Sequence, residues 1–240
     1  MGSKLNLGYF RYLAEMPDMR MLFRKAINFL SRRLELGRCF VSFSAGKDST
    51  VCADLANRVC PGIPMLMVDP GCPTHWLEDE REKFLKFAHE KGWNLRLFPW
   101  DKWRIGWHGE ETSSLHVDMF RELNDYAKKE GYSTLIMGIR EKESKNRKIL
   151  AKMRGDDYQR KDGMRVLLPV MRWSSDAIWA YTVSRGLPWL SIYDTSGKDA
   201  RNGLVGVNGH RFGRMGFLKQ YYPMAYEFAK RLIEAGKMDE

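Results

Sequence analysis

The sequence predicts an α/β fold with a doubly wound, mainly parallel sheet of about five strands. Two observations support this prediction. Short runs rich in β-branched and aromatic residues alternate with longer segments of helical periodicity, an order typical of right-handed crossovers between parallel strands. In addition, 44% of the 240 residues are hydrophobic and 29% are charged, as in a globular domain with one buried core. We therefore expect a single domain over residues 1–240.

The first predicted elements are a helix, a strand and a second helix. Residues 18–36 carry apolar positions at helical spacing with Arg and Lys between them, and a glycine ends the run. The apolar run RCFVSFS at 38–44 predicts a strand that breaks at Ala45 and the glycine after it. Polar residues beginning at Asp48 can then cap a helix that continues to about Cys60.

The same unit then repeats along the chain. PMLMVD at 64–69 predicts a second strand, Thr74 can cap a helix through about Lys91, and NLRLF at 94–98 predicts a third strand. The remaining predicted elements are a helix over 114–130 and two strands, over 133–139 and 165–170.

Two turn-rich stretches, 153–164 and 194–216, are too long and too charged to be simple connections. Loops of this size usually cover or build a site. We expect the helix at 18–36, a core over 38–194 and a basic C-terminal extension over 195–240.

The sequence carries no pattern for a membrane span or for export. No apolar run approaches the roughly 18 residues of a membrane span, and the N-terminus lacks a signal-peptide pattern. We expect a cytoplasmic protein with no membrane partner. The four cysteines of the chain are Cys39, Cys52, Cys60 and Cys72. They form neither a CxxC pair nor a paired zinc spacing, so we expect neither a disulfide framework nor a structural metal.

The formal net charge is +10. A basic balance of this kind suits a nucleic acid, and it suits equally a protein that binds a phosphate-rich small ligand. Charge alone leaves both interpretations open.

The segment SFSAGKDST at 42–50 lies where a doubly wound sheet binds ligands, at the carboxyl end of a strand and the start of a helix. Free backbone N–H groups and the positive helix end attract an anion there. Gly46 allows a tight turn, Ser44 and Ser49 supply hydroxyl donors, and Lys47 adds charge. The spacing is not that of a Walker A loop, and a plain strand-to-helix turn remains the alternative.

A second candidate anion site follows the fourth predicted strand, in the run GIREKESKNR. Arg140, Ser144 and Arg147 recur at steps of four and three residues, so on a helix they would share one face. Arginine forks suit phosphate or sulfate oxygens. The alternative is a solvated basic face.

Four ordered motifs resemble those of one protein family. SAGKDS at 44–49 is similar to the SGGxDS loop of the PP-loop ATP pyrophosphatases, more narrowly of the phosphoadenosine phosphosulfate (PAPS) reductases and their adenylyltransferase relatives. VDPG at 68–71 resembles the DTG-like turn of that family, and 137–147 resembles its GxRxxES…R segment. The stretch 168–194 resembles its region from the W-S-x-x-D motif to a final Tyr-Asp. The resemblance covers residues 38–194.

The resemblance implies a Rossmann-like fold of the adenine nucleotide alpha hydrolase kind with basic lid loops, and an enzyme that cleaves ATP to AMP and pyrophosphate. By position it implies the catalytic residues Asp48, Ser49, Arg140 and Arg147. It also implies a set that binds the nucleotide, composed of Ser44, Ala45, Gly46, Lys47, Asp48, Ser49, Asp69, Gly138, Arg140 and Ser144. Mg²⁺ is expected on the ATP phosphates, with Asp48 as its candidate protein contact. Ala45 replaces the usual second glycine. Because alanine disfavours the unusual conformations that glycine allows, we expect an ordinary backbone conformation at this position.

Several features of the sequence are each compatible with two interpretations. The basic segments 140–165 and 198–219 suit either a nucleic-acid backbone or a lid over ATP. Three tryptophans can stack on a base or pack under a lid, namely Trp100, Trp103 and Trp107. Cys72 is either a reactive thiol near the nucleotide or a small apolar filler.

Three functions are compatible with the sequence. The first is an ATP pyrophosphatase or adenylyltransferase that activates an acceptor in sulfur transfer or nucleic-acid modification such as phosphorothioation, with a sulfur-donor protein as partner. The second is a PAPS reductase, although the cysteine of that family's C-terminal tail has no counterpart after Cys72. The third is a non-catalytic nucleotide or nucleic-acid-binding subunit. The acceptor, whether sulfate, nucleobase or DNA phosphate, stays open, as do the sulfur donor and the oligomeric state.

Overall fold

The computed structural model describes residues 5–34, 38–69, 75–99, 112–191, 193–194, 197–199, 219 and 223–235. Helices cover most of this part of the chain: α1 (Leu7–Glu15), α2 (Pro17–Ser31), α3 (Lys47–Val59), α4 (His75–Glu90), α5 (Thr112–Lys129), α6 (Lys145–Arg154), α7 (Ser175–Ser184) and α8 (Pro223–Glu234). A short 3₁₀ helix, Glu141–Glu143, precedes α6. None of the described helices is both long enough and apolar enough to cross a membrane.

The sheet has six strands: β1 (Cys39–Phe43), β2 (Pro64–Asp69), β3 (Asn94–Pro99), β4 (Thr134–Ile136), β5 (Asp157–Gln159) and β6 (Arg165–Leu167). Their spatial order is β3-β2-β1-β4-β6-β5. Every neighbouring pair is parallel except β5 and β6. The predicted α/β fold is confirmed, and all five predicted strands are present. β5 is an addition, an antiparallel edge strand within the stretch 153–164.

Some predicted boundaries were wrong. The helix predicted over 18–36 begins at Pro17 and ends at Ser31, and a separate helix, α1, precedes it. Met16 separates the two helices in an extended conformation, with ψ of 138°. A residue before proline is pushed toward this conformation, and proline itself suits the first position of a helix. α6 and α7 lie in segments that the sequence analysis treated only as motifs.

The two faces of the sheet build two apolar cores. Val41 and Phe43 face one side, where they pack with Leu30 of α2 and Trp179 of α7. Phe40 directly precedes Val41 and packs on the opposite side, in the cluster that contains residues of α5 and α6. This alternation follows from the two-residue period of a strand, and it leaves both faces of β1 covered.

β1 occupies the centre of the sheet, and the chain reverses direction around it. After β1 the chain adds β2 and β3 on one side, and it then returns to place β4 and β6 on the other. The carboxyl ends of β1 and β4 are therefore adjacent at a topological switch point, the place where open α/β sheets bind their ligands.

Candidate functional site

Two loops leave the sheet at the switch point. One joins β1 to α3 and contains Ser44, Ala45 and Gly46; the other follows β4 and contains Gly138 and Arg140. α3 begins at Lys47, within one residue of Asp48, as the capping pattern predicts. Because the first N–H groups of a helix have no acceptor within that helix, the start of α3 presents donors toward the switch point.

Ala45 adopts a left-handed backbone conformation, with φ of 56°. The expectation of an ordinary conformation at this position was wrong. Glycine adopts this region freely, whereas a residue with a Cβ atom is strained there by about 1–2 kcal/mol. The turn therefore has the geometry that a glycine would favour, and Ala45 is strained in it. The Ala45 side chain is buried, with 4% of the residue's surface exposed.

The hydroxyl groups of the loop bind the loop itself. Ser49 Oγ donates to the carbonyl oxygen of Gly46 at 2.9 Å and accepts from the amide of Ser44 at 3.2 Å. The Oγ atoms of Ser44 and Ser49 are 3.0 Å apart. Because a serine hydroxyl has one proton to donate, Ser49 braces the turn in this conformation. A donation from Ser49 to a phosphate would require its proton to leave the Gly46 carbonyl.

Asp48 lies between two cations in a buried cluster. Its Oδ1 accepts from Arg140 Nε at 2.5 Å, and its Oδ2 lies 3.1 Å from Lys47 Nζ. The exposed fractions of Asp48 and Arg140 are 7% and 4%, and Lys47 is also buried. With all three groups ionised the cluster carries one net positive charge at the positive end of α3. A buried positive charge at this place favours an anionic ligand.

Gly138 contacts the backbone at the start of α3. A Cβ atom at this position would lie 2.5 Å from the carbonyl carbon of Asp48 and 2.5 Å from the amide nitrogen of Ser49. Real Cβ atoms do not approach backbone atoms this closely, so only glycine fits here. The structure therefore gives Gly138 a place in fixing the loop after β4 against the start of α3.

The predicted second anion site has a different geometry from the one expected. Arg140 precedes the 3₁₀ helix, whereas Ser144 is the N-cap of α6 and accepts from the amide of Arg147 at 3.2 Å. The side chain of Arg147 pairs with Glu143, and Glu143 also accepts from the amide of Arg140 at 3.1 Å. The three residues do not share one helical face, because the helix begins only at Lys145. Arg140 lies at the switch point, and Ser144 caps a helix.

Asp69 is the last residue of β2, opposite Pro99 of β3. Its backbone lies at the carboxyl edge of the sheet, and its side chain is outside the described part. Cys72, the three tryptophans Trp100, Trp103 and Trp107, and most of 198–219 also lie outside the described residues.

Tyr193 joins the site, although the sequence analysis did not single it out. The amide of Lys47 donates to the Tyr193 hydroxyl at 3.4 Å, and Lys47 Nζ lies 5.5 Å from the centre of the ring. Burial, and to a lesser extent the charge of Asp48, raises the pKa of Tyr193 to about 12. The hydroxyl thus stays protonated near neutral pH. The available signal was its place in the final Tyr-Asp of the motif 168–194.

The described cysteines are poorly suited to act as thiolates. Cys52 is completely buried on α3, and burial raises the pKa of its thiol, with a further contribution from Asp48. Burial also raises the pKa of Cys60, and Cys39 is buried in β1. A thiolate is the reactive form of cysteine, so none of these three has an activated environment.

The described residues do not build a metal site of their own. They contain no group of three or more His, Cys, Asp and Glu side chains placed to hold an ion. Both oxygens of Asp48 face cations, an arrangement that opposes the binding of a further positive ion. The donor set therefore does not fit a protein-held magnesium ion.

Comparison with known proteins places these features in context. The family model of the phosphoadenosine phosphosulfate reductase domain matches residues 38–217. An uncharacterised protein of Methanocaldococcus jannaschii is 25% identical over 76% of this chain and 46% of its own length. Phosphoadenosine 5'-phosphosulfate reductase of Shigella dysenteriae is 25% identical over 66% of each chain, and that of Buchnera aphidicola is 28% identical over 64% of each. The chain thus spans about half of the archaeal protein and just under two thirds of the reductases.

A solved structure shares the fold. The crystal structure of phosphoadenylyl-sulfate reductase from Candida auris, a phosphate complex, superposes with a TM-score of 0.50 at 13% sequence identity. The superposition covers 81% of this chain and 94% of the other.

Proposed function

Because the chain belongs to the phosphoadenosine phosphosulfate reductase domain family, we propose that it is an enzyme that binds an adenine nucleotide by its phosphate chain at the loop Ser44–Ser49. The observation that carries this proposal is the buried cluster of Asp48, Arg140 and Lys47, with its net positive charge at the start of α3. The cluster lies at the switch point of the sheet. The amides of the first helical turn, apart from that of Lys47, which donates to Tyr193, would supply the donors that a phosphate needs there.

The reaction that we propose is cleavage of ATP between the α- and β-phosphates. The β- and γ-phosphates would occupy the loop and leave the α-phosphorus open to an acceptor oxygen. That oxygen forms a bond to the α-phosphorus, the bond to the bridging oxygen breaks, and pyrophosphate leaves with its electron pair. The amides of α3 and the buried cation pair would stabilise the charge that develops on the leaving group.

Magnesium enters this proposal as a companion of the nucleotide, because phosphate oxygens are its usual ligands in such sites. It would neutralise part of the pyrophosphate charge. Acceptors of the proposed class are sulfate, a nucleobase carbonyl and a DNA phosphate, with a sulfur-donor protein as partner if the adenylylated product is then thiolated.

A second candidate function is reduction of a phosphosulfate nucleotide, which the names of the reductase relatives favour. In that reaction a thiolate attacks the sulfur atom and the nucleotide bisphosphate leaves. The cysteine environments weigh against a thiol from Cys39, Cys52 or Cys60, since each is buried or has a raised pKa or both. The thiol would have to come from Cys72 or from another molecule.

Product analysis separates the two reactions. The enzyme is incubated with ATP labelled at the α-phosphate and, separately, with PAPS and a thiol donor, and the products are resolved by chromatography. Label in AMP or on an acceptor supports ATP cleavage, and ADP as the main product contradicts it. Conversion of PAPS to the bisphosphate nucleotide, abolished in Cys72→Ser or dependent on the added thiol, supports the second function.

A matched pair of variants tests the site itself. Asp48→Asn should abolish whichever turnover is found, whereas Asp18→Asn should leave it unchanged, because Asp18 is an exposed carboxylate in the first turn of α2. Equal activity in both variants would contradict the assignment of the site.

A further inference from the structure

Two groups stand out among the cations of the basic segment 140–165. The arginines of the first group are held in ion pairs: Arg140 with Asp48, Arg147 with Glu143, Arg160 with Asp162 and Arg165 with Asp157. The second group is composed of the lysines of α6, which make no ion pair within the described ranges. The α6 lysines therefore keep their charge available to another molecule.

The exposed face of α6 carries a continuous stripe of these lysines. Lys145, Lys148 and Lys152 are all exposed and recur at steps of three and four residues, so they lie on one side of the helix. The stripe spans about 10 Å along the axis. The ten residues of α6, KNRKILAKMR, contain no carboxylate to neutralise it.

Two apolar side chains lie beside the lysines. Ile149 is 55% exposed and Met153 is 78% exposed, and the four-residue step between them places them next to each other on the helix. On the inner side Ala151 is buried against the core cluster of β1 and β4, which fixes the direction of the exposed face. Together with the lysines beside them, these two side chains form a surface that would complement a ligand with both anionic and apolar groups.

The lysine stripe starts beside the candidate site. α6 begins directly after its cap Ser144, and the 3₁₀ helix Glu141–Glu143 connects that cap to Arg140 at the switch point. A linear polymer bound along α6 would therefore extend toward the carboxyl edge of the sheet, where the nucleotide is proposed to bind.

We propose that the exposed face of α6 binds single-stranded nucleic acid, with the phosphates on Lys145, Lys148 and Lys152 and base faces on Ile149 and Met153. This inference rests on the proposed function in one respect: it takes nucleic acid as the partner that carries the acceptor group. A single strand offers anionic and apolar groups in alternation, and its unstacked bases are open to side chains, whereas a duplex hides them. Two apolar residues give too narrow an apolar face for insertion into a bilayer.

The test compares two triple variants that lose equal charge. The first is Lys145→Gln/Lys148→Gln/Lys152→Gln. The control is Lys25→Gln/Lys86→Gln/Lys129→Gln, which removes three exposed lysines from α2, α4 and α5. Binding of a fluorescent single-stranded oligonucleotide is followed by anisotropy between about 50 mM and about 200 mM salt. Thermal unfolding by circular dichroism verifies that both variants are folded.

The α6 variant should bind at least about tenfold more weakly at the lower salt, and the slope of log affinity against log salt should fall by about 2, since each phosphate contact on a single strand contributes about 0.7. The control should match the unmodified protein. Ile149→Ser/Met153→Ser should weaken binding without changing the slope, because it removes apolar contacts and no charge. Nucleotide turnover, measured on the same preparations, should be the same in all variants without nucleic acid.

Three results would overturn the inference: equal losses in the two triple variants, absence of oligonucleotide binding at the lower salt, or tighter binding to phosphatidylserine vesicles than to the oligonucleotide. Turnover and nucleic-acid binding are separate readouts. If the unmodified protein binds the oligonucleotide but shows no nucleotide turnover, the proposed function is contradicted and the α6 surface remains supported.

Discussion

Arg140 Nε donates to Asp48 Oδ1 across 2.5 Å, between two residues that lie 92 positions apart in the chain. Both side chains are buried. Asp48 belongs to the first turn of the helix after β1, and Arg140 belongs to the loop after β4, so the pair joins the two chain segments that border the switch point. The stability of the site and its electrostatic character therefore depend on the same contact.

Loss of Arg140 should destabilise the protein strongly. Arg140→Gln leaves a buried carboxylate with only Lys47 as its cation, and breaking a buried pair typically costs about 3–5 kcal/mol. The double variant Asp48→Asn/Arg140→Gln should lose less than the sum of the two single losses, by about 1–3 kcal/mol. Urea denaturation of the four proteins measures this coupling. Strict additivity of the single losses would show that the two side chains do not interact.

Gly138→Ala should weaken nucleotide binding. The added Cβ atom would meet backbone atoms of Asp48 and Ser49, which cannot rotate away, so the start of α3 must shift. A shift of about 1 Å in a positioning element can cost about 100-fold in rate. The matched control is Gly131→Ala, at a φ of 85° with no atom within 4 Å of the new Cβ. Calorimetric titration with nucleotide should show weakened binding only in Gly138→Ala, although both variants lose stability. Equal affinity in the two variants would refute the role of Gly138.

Ala45→Gly should be tolerated or stabilising. Glycine relieves the strain of the left-handed conformation, which offsets its larger entropy in the unfolded chain. The control Ala53→Gly in the interior of α3 should instead cost about 1 kcal/mol, because glycine is a poor helix former. Ala45→Val should lower stability by about 2 kcal/mol or more, because a β-branched residue is strained further at this φ. Thermal melts of the three variants check the order, and a similar loss in both glycine variants would contradict it.

Asp157→Asn should change the acid stability of the protein. Hydrogen bonds from Arg165, with a further one from Arg33, hold the pKa of Asp157 below its ordinary value of 3.8. A depressed carboxyl pKa contributes stability that is present above the unfolded pKa and is lost as the pH falls through the folded value. The variant should therefore be less stable by about 1–2 kcal/mol at neutral pH, and the difference should close as the pH falls below about 3.8.

Denaturation midpoints across this pH range measure the difference, with Asp125→Asn as the control on an exposed position of α5. A gap between Asp157→Asn and the unmodified protein that stays constant from neutral to acidic pH would contradict the ionic origin of the effect.

Local patterns predicted much of the fold. The alternation of apolar runs and capped helices located β1, β2 and β3 because each strand is bounded by breakers whose chemistry is local. β5 escaped prediction because Asp157–Gln159 has no strand pattern of its own and is a strand only through its pairing with β6. α1 escaped because its separation from α2 depends on the conformation of Met16 before Pro17.

The sequence motifs indicated which residues form the candidate site, but they did not predict the contacts between those residues. Asp48 follows from the loop motif, yet its pairing with Arg140 depends on β1 and β4 being neighbours, which is a property of the whole sheet. The left-handed conformation of Ala45 has no local signal, because alanine normally avoids it. Tyr193 reaches the amide of Lys47 only through the packing of the segment after α7.

The most direct test of the central claim is hydrogen exchange of the backbone amides with and without nucleotide, read by mass spectrometry. If the phosphate chain binds at the switch point, ATP or PAPS should slow exchange in the peptides that contain residues 44–50 and 137–140, whereas adenosine should not. If neither nucleotide slows exchange in these two segments, or if both slow it only elsewhere in the chain, then the loop Ser44–Ser49 is not the phosphate site.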